Sequence, residues 1–278
     1  MEWSWLQSLV YGLTSGVCEF LPVSADAHRA LLSYLTGSGK EELVFRLICH
    51  VCILLALLLS CRPQLEKLRR ERKIASVSGK RRKRQPDVKT VLDIRVLKTA
   101  LLPLLLSVVF YLPARNLLND LWLLVLILVA NGIILFLPQL FPRGNKDSRS
   151  MSAVDSMLMG LGHGVGVIPG ISGIGTAVSL GKIRGLDRQY AVDMCLLLSI
   201  PALLALIVFD VYSIVSLGAA ISFGQIVPYF LAGATAFFGA YMCVILMRFL
   251  AVKIGFSGFS YYCWGAALFV FVLYLTIS

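Results

Sequence analysis

Apolar residues run along this chain in long unbroken stretches, without the period-two alternation of a half-buried strand. A helical crossing of the bilayer core takes about 20 such residues. Five or six stretches reach that scale: 43–61, 96–112 and 121–141, then, after a break, 191–212, 226–250 and 259–277. Pro103 and Pro201 fall inside two of them and predict kinks rather than ends. Continuous runs select helices over a closed barrel, whose strands alternate over about 10 residues. Two further stretches, 6–35 and 157–180, are apolar but interrupted near their middles by a proline, a serine and several glycines. A helix–break–helix that enters and leaves by one face fits them better than a straight span.

The two interrupted stretches resemble each other. Shifted by 148 positions, Gly12, Leu13, Gly16, Val17, Ser24 and Leu32 fall on Gly160, Leu161, Gly164, Val165, Ser172 and Leu180. Each is followed by three candidate spans, and a unit with an odd number of crossings repeats upside down. The expected fold is therefore all-α: a polytopic membrane protein with two inverted-topology repeats, each a re-entrant helical hairpin plus three transmembrane helices. Repeat one is 1–141 and repeat two 151–278, within a single membrane domain, 1–278. Paired interrupted segments of this kind point to a binding site near the midplane.

Composition supports the membrane assignment: 58% of residues are hydrophobic and 15% charged, against about 25% charged in a soluble domain. That excludes a disordered chain and most soluble enzymes. The formal charge is +11, and 12 of the 26 cations lie between Arg62 and Lys89. Placing this basic loop, 62–94, in the cytoplasm also puts Arg143, Lys146, Arg149, Lys182, Arg184, Arg188 and Lys253 inside. The opposite loops then keep only Lys40 and Arg115, as the positive-inside rule expects. The basic run pairs with anionic headgroups; without an aromatic or folded reader it does not predict nucleic-acid binding. Seven cysteines lie mostly in apolar runs without zinc spacing, and the first residues lack the basic region of a cleaved signal.

Ionisable groups at membrane depth are functional candidates, because charge there is costly. The first interrupted stretch gathers Ser15, Glu19, Ser24, Asp26, His28 and Arg29 within fifteen positions. Glu19 is flanked by Val17, Cys18, Phe20 and Leu21; a carboxylate so placed either serves chemistry or pairs with an arginine to hold the hairpin. His28, four residues past Ser24, has the spacing of a base beside a nucleophile. His50 lies inside the 43–61 span and His163 among glycines; each either lines a cavity or packs with one satisfied nitrogen. The second stretch holds no carboxylate. Its glycines either present backbone N–H groups to a phosphate or let helices pack closely, as Gly160/Gly164 and Gly162/Gly166.

Glu19-Phe-Leu-Pro-Val-Ser24 with His28 resembles the E-F-L-P-V-S-S-[ST]-G-H block of the bacterial undecaprenyl-diphosphate phosphatases of the bacitracin-resistance type. Phe45 with 53–56, the run Pro169-Gly-Ile-Ser172 with Gly175-Thr176, Gly185-Leu186 and 196–201 extend the resemblance along nearly the whole chain. It implies hydrolysis of undecaprenyl diphosphate to the monophosphate and phosphate, recycling the lipid carrier of cell-wall synthesis. The site would face outside a bacterial cell membrane where the hairpin tips meet. Glu19, Ser24 and His28 become the implied catalytic residues. Asp26, Arg29, His50, Ser172, Gly173 and Thr176 become the substrate-binding set, with Glu19 and Asp26 holding a divalent cation, Mg²⁺ or Ca²⁺. Partners are the bilayer and a polyprenyl diphosphate lipid, with room for a homodimer.

The chain also departs from the pattern. Ser15 replaces an acidic residue, Ala25 a serine often assigned as nucleophile, Gly173 the arginine that clamps the diphosphate, and His50 a glutamine. Arg29 and Arg46 are the cations near enough in sequence to compensate. The alternative is a non-hydrolytic polyprenyl-phosphate transporter or binder.

Overall fold

The computed structural model describes residues 4–36, 43–80, 92–111, 114, 117, 120–219, 223–253 and 256–277. Apart from one isolated bridge between Lys146 and Leu186, the regular structure among them is helical. The first half contributes α1 (Trp5–Phe20), α2 (Ala25–Thr36), α3 (Leu43–Ser60), α4 (Arg62–Lys80), α5 (Leu92–Val108) and α6 (Leu121–Phe136). The second contributes α7 (Ala153–Gly164), α8 (Gly173–Ile183), α9 (Arg188–Leu217), α10 (Ile226–Lys253) and α11 (Ser257–Ile277). Five stretches are long and apolar enough to cross a membrane: Leu43–Ser60, Leu121–Leu140, Arg188–Leu217, Phe223–Ala251 and Ser257–Thr276. The remaining candidate, 96–112, is the shorter α5, and Leu112 lies outside the described residues.

The basic segment 62–94 is a helix over much of its length rather than a loop. In α4 the charges sit at helical spacing: Arg62 pairs with Glu66 at 3.3 Å, one turn on. Lys67 forms an ion pair with Asp93, and Glu71 accepts from the Ile94 N–H at 3.4 Å. These contacts tie α4 to the start of α5, while Leu65 and Leu68, one turn apart, pack against the core.

Both interrupted stretches are helix–break–helix, as their glycine and proline content predicts. Each entry helix starts with a capping box: Ser4 with Gln7 on α1, Ser152 with Asp155 on α7. These positions again differ by 148, extending the internal match upstream of the glycines. The matched glycines have one job in both halves. A Cβ on Gly12 or Gly16 would come within 2.1 Å of a carbonyl oxygen on α10, Ala232 or Ala236. A Cβ on Gly160 would come within 2.0 Å of the Ala100 oxygen on α5. The small-residue pattern is close helix packing.

The main helix pairings recur when the halves are exchanged. α1 packs on α10 and α7 on α5; α3 meets α10 and α9 meets α5; α3 packs on α9 and α6 on α11. Apolar side chains at these seams form the core, while many large ones point outward, among them Phe230, Phe238, Leu268 and Val215. In water such a surface would be an association hazard; in lipid it is ordinary.

Candidate functional site

The breaks in the two hairpins meet. Ser24 has φ +68°, a left-handed conformation uncommon outside glycine, and Gly170 opposite has φ +101°. The Gly170 N–H donates to Ser24 Oγ at 2.9 Å. Asn131, fully buried in the middle of α6, clamps both tips: its amide donates to the Pro22 oxygen at 3.4 Å and accepts from the Ser172 N–H at 3.0 Å. A non-glycine residue held at positive φ stores roughly 1–3 kcal/mol, which persists only where the surroundings fix it. Here they do.

Two helix starts open onto one chamber as a result. α2 begins at Ala25, directly after Ser24. α8 begins at Gly173, capped by Ser172, whose Oγ accepts from the Gly175 N–H at 3.1 Å. Ala25, Asp26, Gly173 and Ile174 all line a cavity of about 100 Å³. Helix starts carry unsatisfied N–H groups and a partial positive charge, so they favour an anion. Ser107, Tyr111, His163 and Ser199 complete the polar wall, and the His163 ring bonds Ser199 Oγ at 2.9 Å.

Arg29 is the cation of the chamber. Its guanidinium bonds Asp26 at 2.6 Å and reaches Glu19 at 4.0 Å, with its own side chain 5% exposed. Two carboxylates against one guanidinium leave the ionised lining one charge negative, opposite to what a diphosphate needs. Glu19 and Asp26 are the oxygen donors that would hold a divalent cation there, and it would supply the missing positive charge. Mg²⁺ suits such a place, since it keeps waters and uses one or two carboxylates plus substrate phosphates. Among the described residues no group of three His, Cys, Asp or Glu stands close enough together to hold a metal ion.

Of the residues the sequence singles out, Glu19, Ser24, Asp26, Arg29, Ser172 and Gly173 line the chamber. His28, His50 and Thr176 do not. His28 sits on the other side of the turn: Nδ1 bonds the Ser24 carbonyl at 2.7 Å and Nε2 the Tyr262 hydroxyl at 2.7 Å, with the rings stacked. The expected contact between His28 and the Ser24 hydroxyl is not made. Ser24 precedes α2, and its left-handed backbone turns Oγ away from the face His28 occupies. Thr176 is buried one turn into α8.

His50 belongs to a neighbouring buried cluster. Asp210 of α9 accepts from Arg46 Nε at 2.6 Å through one oxygen and meets His50 Nδ1 at 2.6 Å through the other. Tyr111, on the chamber wall, lies within electrostatic reach of Asp26, Arg29, Arg46 and Asp210. Arg46 therefore serves Asp210 rather than the chamber, and Arg29 alone of the two candidate cations lines the cavity. Asp210 and Asn131 were missed, although each is a polar residue in an otherwise apolar span, the signal that exposed Glu19.

The family model described as Bacitracin resistance protein BacA matches residues 8–269. Two proteins named undecaprenyl-diphosphatase are similar over nearly their whole length. That of Carboxydothermus hydrogenoformans is 29% identical over 267 residues, 96% of each chain. That of Methanobrevibacter smithii is 30% identical over 279 positions, again 96% of each. Undecaprenyl-diphosphatase 1 of Shouchella clausii is 27% identical over 272, covering 97% of this chain and 96% of its own. With its paired hairpins, membrane-length helices and a match that leaves out only the two ends, the chain belongs to the BacA family.

Proposed function

We propose that this protein hydrolyses the terminal phosphate of a polyprenyl diphosphate, undecaprenyl diphosphate being the substrate its relatives are named for. One observation carries the reading: two helix starts and the Arg29 guanidinium open onto a single buried chamber that also holds Glu19 and Ser24. The donors suit the diphosphate, and the surrounding apolar surface suits a long isoprenoid tail. By the distribution of loop cations the chamber opens outward, where spent carrier from wall synthesis accumulates.

In this mechanism Ser24 Oγ attacks the terminal phosphorus. The bond from phosphorus to the bridging oxygen breaks, and the polyprenyl monophosphate leaves. Glu19 takes the serine proton and passes it to the departing phosphate. The Gly170 N–H on Oγ favours the alkoxide that develops. Water then attacks the phosphoserine, gives its proton to Glu19, and Oγ recovers that proton as phosphate departs. Arg29 and the N–H groups of α2 and α8 hold the spreading charge, the main task in phosphoryl transfer. A divalent cation between Glu19, Asp26 and the diphosphate would add charge neutralisation. His28 is a positioning residue here, holding the Ser24 carbonyl.

A second reading, a polyprenyl-phosphate carrier without hydrolysis, draws on Gly173. A Cβ there would stand 2.5 Å from the His163 carbonyl oxygen, so an arginine cannot be placed without moving backbone. Phosphate release by purified protein, with Mg²⁺ and with chelator, separates the two. Hydrolysis predicts release above a mock preparation, and the chelator arm reads whether a divalent cation contributes. No release above a mock preparation, with tight lipid-phosphate binding, assigns the carrier.

A further inference from the structure

The helix that opens the chamber at its first residue ends in a second polar cavity. α8 has 11 residues, about 16 Å at 1.5 Å per residue. Gly173 and Ile174 line the chamber, while Lys182, at the other end, lines a cavity of about 260 Å³ with Arg143 and Arg188. Among the described residues no carboxylate lines that cavity. The contrast with its neighbours is sharp: Lys146 and Arg184 share Asp155, at 3.5 and 2.6 Å. Arg143 and Arg188 instead stand close enough to Lys182 to repel it. Three gathered cations without a lining countercharge raise the free energy of the empty cavity and lower it when an anion enters.

The rest of the wall is mixed, with Gln139, Ser179 and Ser257 beside Leu135, Pro138 and Phe256. It lies at the end of the membrane-length stretch Leu121–Leu140 and beside the start of α11. A cavity lined by three cations, with hydroxyls, an amide and apolar side chains, placed where spanning helices end, matches a phosphate group attached to a glycerol and acyl chains.

We propose that Arg143, Lys182 and Arg188 form a second phosphate site, separate from the chamber, that holds the headgroup of an anionic membrane phospholipid. By the loop cations it lies on the cytoplasmic side. Free phosphate shares the recognising chemistry; the cavity's place at the ends of membrane-length helices favours the lipid.

Native mass spectrometry of the full-length protein in detergent tests this, with phosphatidylglycerol and phosphatidylcholine as probes. Wild type is expected to retain phosphatidylglycerol in preference. Lys182→Gln should weaken retention about fivefold and the triple variant R143Q/K182Q/R188Q about a hundredfold, from about 1 kcal/mol per cation. Lys182→Arg should restore it, which separates lost charge from lost folding. Arg29→Gln, in the chamber, should leave it unchanged. Equal retention of both lipids, or undiminished phosphatidylglycerol binding by a triple variant with a wild-type elution profile, overturns the proposal. Displacement of the lipid by millimolar inorganic phosphate would overturn the lipid assignment and leave a free-phosphate site.

Discussion

Arg46 on α3 and Asp210 on α9 face each other with Nε 2.6 Å from Oδ1, and neither side chain is more than 2% exposed. The pair joins the first long helix of each half, and His50 bonds the second carboxylate oxygen. Removing one partner strands a charge; removing both does not.

Asp210→Asn should therefore destabilise the protein by about 3–5 kcal/mol, the cost typical of breaking a buried pair. The double variant Arg46→Met/Asp210→Leu should recover most of that. Thermal unfolding in detergent of Arg46→Met, Asp210→Leu and the double variant checks it. Additive losses would mean that the residues do not act as a pair.

Asn131 is the mechanical link between the hairpin tips, through one bond to each. Each such bond is worth about 1 kcal/mol net, so Asn131→Leu should lower stability modestly. It should lower phosphate release much more, at least tenfold, because the tips lose their register. Comparing melting temperature with turnover in the same preparation separates these effects.

Arg29 should not be replaceable by a shorter or neutral donor. Arg29→Gln is expected to reduce kcat/KM by 10³-fold or more, in the range an arginine supplies in other phosphoryl transfers. Arg29→Lys should fall between, keeping the charge and losing the two-pronged fit. Steady-state kinetics with a soluble short-chain diphosphate reads both.

Gly173 is held by close backbone approach, with Gly166 Cα also 3.3 Å from an added Cβ. Gly173→Ala and Gly173→Arg should both lower stability and activity. A gain of activity in Gly173→Arg would show that α8 shifts readily and that the chamber still accepts a cation there.

Much of this architecture was legible in the sequence because it is written in runs: apolar stretches, the glycine–proline–serine interruptions, and the 148-residue match. Glu19, Asp26 and Arg29 were legible because charge within an apolar stretch is rare. Asn131 and Asp210 gave the same signal, but their meaning depends on partners 41 to 164 residues away, which no local pattern reveals. His28 misled for a different reason. Its spacing from Ser24 places two side chains together only if both residues are helical, and Ser24 is left-handed at the helix entrance. The helix in the basic segment has local signals, the Arg62–Glu66 pair and the Leu65–Leu68 spacing, each one turn apart.

The most direct measurement compares phosphate release from undecaprenyl diphosphate by Glu19→Gln and His28→Gln in parallel with wild type. Glutamine at 28 can still donate to the Ser24 carbonyl, whereas glutamine at 19 cannot take a proton. The account predicts release near background for Glu19→Gln with lipid binding retained, and for His28→Gln a loss of no more than about tenfold with an unchanged pH profile. The reverse order, with His28→Gln inactive and Glu19→Gln turning over normally, would contradict it.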